Sequence, residues 1–168
     1  MTMKTGNEHI DWAAGPPCNG VILHEDPATE LRAMKLWSQI ADGMGPEIKC
    51  DITPWPTGLF EAPRLRERAF RDARQTDVVT ISVHDIGYLS ADVSKWLTQW
   101  LNSKSSLPRA LIILHDGEEQ NEVVTFLKML AEFVGVSVFS RGGEAANGSD
   151  ATGTKHDCQR EESLAFAP

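Results

Sequence analysis

Cysteine is scarce in this chain, and the three present, Cys18, Cys50 and Cys158, form no CxxC pair. An odd number at wide spacing excludes a disulfide framework and a paired-thiol zinc site, and points to reduced thiols in a cytoplasmic protein. Long apolar runs are missing too. None approaches the roughly 20 residues that span a bilayer, and MTMKTGNEHIDW has no apolar segment after its lysine, so neither a membrane span nor a secretory signal is expected. Positive charge is in deficit: 16 Lys and Arg against 24 Asp and Glu leave a net −8, which argues against nucleic acid or an anionic membrane as partner. Phosphate-binding loops are absent as well. There is no GxxxxGK[ST], no GxSxG elbow, and the first turn, EDPAT, offers carboxylates where a pyrophosphate needs glycines.

What is present is a well-punctuated α/β pattern. The 168 residues suffice for one domain, and 41% hydrophobic with 24% charged residues is the balance of a globular chain. Residues 76–85, TDVVTISVHD, form its centre. Val78, Val79, Ile81 and Val83 give a β-branched, nearly continuous apolar strand, as expected for burial on both faces. Residues 21–24 and 110–115 read the same way, and all three runs end in histidine followed by carboxylates. By contrast, Ile48, Cys50 and Ile52 alternate with polar residues, as do Val136 and Val138, which is the pattern of half-exposed edge strands.

Between the strands lie helical stretches. Asp26-Pro27 opens the first, with Ala33, Trp37, Ile40 and Ala41 on one face, and residues 43–46 stop it. Residues 54–58 read as a turn before a second helix over 61–74, in which five arginines interleave with Glu61, Glu67 and Asp72 as a solvated, salt-bridged face. A third helix over 91–102 is capped by Ser90; Trp96 and Trp100 on it are core residues or, if partly exposed, a partner anchor. Asp116, with Glu119 in a capping box, is expected to start a fourth.

Five-fold alternation calls for a parallel sheet with right-handed crossovers, a three-layer α/β/α sandwich. Continuous apolarity in strands one, three and four, with alternation in two and five, selects the flavodoxin-like order 2-1-3-4-5 over the dinucleotide-binding order. The expected domain covers residues 20–141, between a flexible leader (1–19) and a disordered tail (142–168). No amphipathic helix follows Arg141, so the fifth helix of this fold is missing. Half of one sheet face then needs a cover, either the leader or another chain, and a homodimer or a protein partner is expected.

In such sheets ligands bind beyond the carboxyl ends of the strands, where the order reverses. That crevice gathers His24, Glu25 and Asp26 on one side, His84 and Asp85 on the other, and His115 and Asp116 next to them. Oxygen ligands there could hold Mg2+ or another divalent cation weakly, with Glu25, Asp26 and Asp85 as the metal candidates. Asp85, His84 and His115 are the catalytic candidates for acid/base work. The plainer account makes Asp26 and Asp116 helix caps and lets His24 and His115 bond nearby backbone; Asp85 alone lacks a local duty.

The first-strand ending VILHEDPAT resembles that of response-regulator receiver domains, in which an acidic pair follows a short apolar strand and binds magnesium. The likeness spans about residues 20–141. It implies that Glu25 and Asp26 match the acidic pair and that the phosphoacceptor position falls on Asp85 or is replaced by Ser82, at the expected spacing from Asp77. It further implies that His115 replaces the hydroxyl residue ending strand four and that Arg141 stands for the lysine of strand five, with no proline after it. The result resembles a degenerate receiver: a non-catalytic signalling or protein-interaction module with a vestigial acidic edge. A small metal-assisted hydrolase using Asp85 with His84 or His115 is the alternative. The third strand also resembles, in a general way, small bacterial domains of the TIR and deoxyribosyltransferase type, whose catalytic residues find no match here.

Overall fold

In the computed structural model, which describes residues 18–105, 108–118 and 120–143, strands β1 (Cys18–His24), β2 (Cys50–Pro56), β3 (Val78–Ser82), β4 (Ala110–His115) and β5 (Ser137–Gly142) pair in parallel in the order β2-β1-β3-β4-β5. The expected flavodoxin-like order is therefore observed, with the two alternating strands at the edges. Helices α1 (Pro27–Met44), α2 (Pro63–Ala73), α3 (Ala91–Asn102) and α4 (Glu122–Phe133) connect them. Strand alternation then divides the side chains. Val21, Leu23, Val79, Ile81, Leu111 and Ile113 point into a large core with Ala69 and Ala73 of α2, Trp96, Leu97 and Trp100 of α3, and Val124, Leu127 and Ala131 of α4. Ile22, Ile112 and Leu114 point the other way, against Ala33, Leu36 and Trp37 of α1.

Among the described residues α1 is the one helix on that second face. Its entry is closed as expected: Asp26 accepts from Thr29 N at 2.8 Å, and the Thr29 hydroxyl receives the Asp26 N–H in return. Gly45, at φ 100°, ends it. Trp37 can approach the sheet closely because Gly20 lies beneath it; a Cβ on Gly20 would stand 2.6 Å from the indole. The indole N–H donates to Thr80 Oγ1 at 3.0 Å, satisfying the polar side chain in the middle of β3.

Several local expectations are corrected. Residues 54–56 are strand, not turn. Pro54 and Pro56 sit opposite Ile22 and His24, which is allowed because β2 is an edge and needs few N–H donors. A 3-10 turn, Thr57–Glu61, then leads to α2, which starts at Pro63. β1 begins at Cys18, inside the expected leader, and β5 runs on to Gly142. Helix α4 is capped by Asn121, whose side chain accepts from Val123 N at 2.8 Å, and not by Asp116, which other groups engage. The expected partner Glu119, leader residues 1–17 and tail residues 144–168 lie outside the described residues. Trp96 and Trp100 are fully buried, so that pair packs the core and is no surface anchor. The arginine-rich helix does carry ion pairs, Arg66 to Asp92 and Arg71 to Glu67.

Candidate functional site

The reversal of strand order brings the ends of β1, β3 and β4 together, and the side chains there form one connected polar cluster. At its centre is His84, about half exposed just beyond β3. Its Nε2 lies 2.7 Å from Asp26 Oδ2 and its Nδ1 lies 2.5 Å from Asp116 Oδ2, so a carboxylate holds each ring nitrogen. The backbone N–H of His84 donates to Glu25 Oε2 at 2.8 Å. Below the imidazole, Arg32 reaches across from α1. Its Nε donates to Ser82 Oγ at 3.1 Å, its Nη2 to the carbonyls of Val83 and Leu114, and its Nη1 pairs with Asp116. The Ser82 hydroxyl in turn donates to the Thr29 carbonyl at 2.7 Å.

Arg32 and the imidazole of His84 thus face the three carboxylates of Glu25, Asp26 and Asp116. Both ring nitrogens of His84 can donate only in the imidazolium form, so hydrogen bonding to Asp26 and then Asp116 raises its pKa above the ordinary 6.5. The Thr29 backbone N–H, then His84, hold Asp26 down to about 2. Burial pushes Asp116 upward, but His84 and Arg32 outweigh it and leave the carboxyl below its usual range. With each ring nitrogen engaged by a carboxylate, neither is free to take a proton from a substrate. Its bonds tie together the loops after β1, β3 and β4.

The pH dependence follows from those directions. His84 has the higher pKa when folded, so its contribution to stability is complete below 6.5 and is lost as pH rises through the folded-state value. Asp26 acts oppositely: its contribution is present above 3.8 and is lost as pH falls toward 2. The clasp is therefore fully effective between those two ordinary values. An NMR titration of the histidine ring protons should give His84 a midpoint above 6.5, and Asp26→Asn and Asp116→Asn should each lower it. A midpoint at or below 6.5 in the parent protein would show that the ring is not held by the carboxylates.

The sequence candidates fall into two groups. Glu25, Asp26, His84 and Asp116 do converge. Asp85 does not join them: its Oδ1 accepts from Gly87 N at 2.8 Å and caps the 3-10 turn Ile86–Tyr88, a local duty the sequence had not disclosed. His24 is buried, with Nδ1 3.2 Å from the Asp26 carbonyl and Nε2 3.6 Å from Glu30, in line with the plainer account. His115 is buried at the end of β4 beneath a trough. Ser82, at the phosphoacceptor position implied by the receiver likeness, is buried and hydrogen-bonded on both sides. Arg32 escaped the sequence reading altogether. No local pattern signals it, because its partners Ser82, Val83, Leu114 and Asp116 all lie on other elements. Among the described residues no group of three or more His, Cys, Asp or Glu is arranged to hold a metal ion. Here the imidazole stands between Asp26 and Asp116 and keeps their carboxylates from converging.

Two troughs open on the α1 side of the sheet. One, of about 610 Å³, lies at the carboxyl edge between Arg32, His115, Glu118 and Arg141. The other, of about 470 Å³, runs down the sheet between Trp37, Ile40 and Met44 of α1 and Val78, Ile112 and Phe139 of the strands. They adjoin, sharing Leu36, Leu114 and Arg141 in their walls. Comparison of the chain with protein-family models, with curated proteins and with solved structures gave no match. No helix of the described residues is long and apolar enough to cross a membrane.

Proposed function

We propose that this protein is a non-catalytic, receiver-like interaction module that docks a helix of a partner protein on the open sheet face beside α1. The observation that carries this reading is the apolar trough over β3, β4 and β5, where the order 2-1-3-4-5 ordinarily seats its fifth helix. Three strands about 4.8 Å apart present a strip as wide as one α-helix with its side chains, about 10–12 Å. A six-residue strand, about 20 Å long, accommodates three to four helical turns. Ile112 and Val78 are only half-buried in the floor, and Phe139 is 62% exposed at the β5 edge. A monomer rarely leaves such a surface bare. Arg141, exposed at the upper rim, favours an acidic residue on the incoming helix.

The hydrolase alternative has weaker support. Asp85 is engaged by Gly87, both nitrogens of His84 are taken by carboxylates, and the crevice at the strand reversal is filled by the Arg32 side chain. A photocrosslinking residue in place of Phe139 tests the interaction reading. The expected product joins this chain to a different polypeptide, which in purified form binds Phe139→Asp at least roughly tenfold more weakly than the parent. A crosslink solely between copies of this chain would replace the partner helix with a homodimer. A strict monomer with no crosslink, together with a hydrolytic activity lost in Asp85→Asn, would decide for the enzyme.

A further inference from the structure

The chain's cysteines looked unrelated in sequence, yet β1 and β2 bring two of them side by side. Cys18 and Cys50 are the first residues of their strands and are direct partners in the parallel register. Both side chains lie on the α1 face, packed against the cluster of Ile22, Ala33, Trp37 and Leu114, and both are partly accessible. We propose that Cys18 and Cys50 form a reversible disulfide site, oxidised by thiol–disulfide exchange with a low-molecular-weight disulfide.

The geometry supports this on three counts. Facing residues on neighbouring strands are about 4.8 Å apart, within the Cα separation of about 4.4–6.8 Å that a disulfide requires. In-register residues of a parallel pair project to the same face, so the two sulfurs share one environment. Finally, the pairing begins at these residues, where closing the sulfurs shifts strand ends and leaves the ladder interior intact; the Cys18 N–H donates to the Lys49 carbonyl at 3.3 Å, a long bond able to adjust. Burial, then the adjacent Cys50 thiol, push the Cys18 thiol up to about 11, so exchange starting from Cys18 is slow near neutrality and speeds up with pH.

Exchange proceeds in two balanced steps. One protein thiolate attacks a sulfur of the small disulfide, forming a mixed disulfide and expelling one small thiolate. The second protein thiol, giving up its proton to solvent, attacks the protein sulfur of that mixed disulfide and expels the other small thiolate. The protein loses two electrons and two protons and gains one S–S bond; the small disulfide gains both electrons and leaves as two thiols. Cys18 also lines the apolar trough, so the bond forms in the wall of that surface. The pairing of Cys18 with Cys50 is the same whether or not the trough docks a helix.

Incubating the full chain with glutathione disulfide at pH 8–9, trapping free thiols by alkylation, and mapping tryptic peptides tests it. Cleavage after Lys4, Arg32, Lys49 and Arg64 places Cys18 and Cys50 on different peptides. The expected result is a linked pair of those peptides, a fall from three titratable thiols to one, and full return of both thiols with dithiothreitol. In Cys50→Ser the linked species should vanish and glutathione should remain attached to Cys18. Recovery of Cys18 and Cys50 on separate alkylated peptides, or linkage of either one to Cys158, would overturn the proposal.

Discussion

Replacing Trp37 with alanine is expected to destabilise the protein by about 3–5 kcal/mol, the range for emptying a buried tryptophan site, and to lower Tm by roughly 10–20 °C. Trp37 is 3% exposed and is the largest side chain that α1 places on the sheet. Two features make its loss hard to repair. Gly20 beneath it has no side chain with which to fill the space, and Thr80 keeps a buried hydroxyl whose indole donor has gone. Among the described residues no second helix lies on this face to move inward. Trp37→Phe separates the two contributions, since it keeps most of the ring but drops the N–H, and should cost about 1–2 kcal/mol. Urea denaturation of the three proteins checks this. A loss below about 1 kcal/mol for the alanine variant would mean that α1 is held by other contacts.

Arg109→Met should lose about 3 kcal/mol, because the buried guanidinium satisfies several acceptors at the end of α3 together. Nη1 donates to the Trp100 carbonyl and Ser103 Oγ, both at 2.9 Å, while Nη2 donates to the Leu101 and Ser103 carbonyls at 3.1 and 2.7 Å. The guanidinium also lies 4.8 Å from the centre of the Trp100 ring. A helix C-terminus leaves carbonyls without intrahelical partners and carries partial negative charge, so a cation there satisfies both demands. Burial lowers the Arg109 pKa, yet the carbonyls ring a charge that methionine cannot supply. Lysine should restore little, since an ammonium cannot present a planar fork to three carbonyls and a hydroxyl at once. The denaturation midpoint should fall with its slope unchanged; a variant within about 0.5 kcal/mol of the parent would assign the capping to water.

Arg109 also marks where sequence reading ends. Nothing adjacent to it in the chain indicates that it will cap a helix completed several residues earlier. The same holds for Arg32, whose four partners lie on Ser82, Val83, Leu114 and Asp116. Asp85 failed in the opposite direction. It had no visible employment because a 3-10 turn of three residues leaves no periodic signal, and its carboxylate proved to cap that turn. The pattern around Asp116 suggests a helix start, whereas the side chains of Arg32 and His84 engage it in the crevice instead.

The sequence by itself determined the strand order and the two-layer burial. Those follow from period-two alternation against continuous apolarity, a property of residues close together in the chain, and they hold in β1 to β5 with the edges where alternation placed them. The lack of an amphipathic stretch after Arg141 accords with α1 being the one helix on the second face among the described residues. Tertiary structure alone decided which side chains meet. His84 between Asp26 and Asp116, Arg32 beneath it, and Cys18 beside Cys50 are contacts between residues 32 to 84 positions apart. Hydrophobic pattern specifies how each element lies on the core but leaves polar side chains at the strand ends unassigned, and only the register of neighbouring strands brings them within hydrogen-bonding reach.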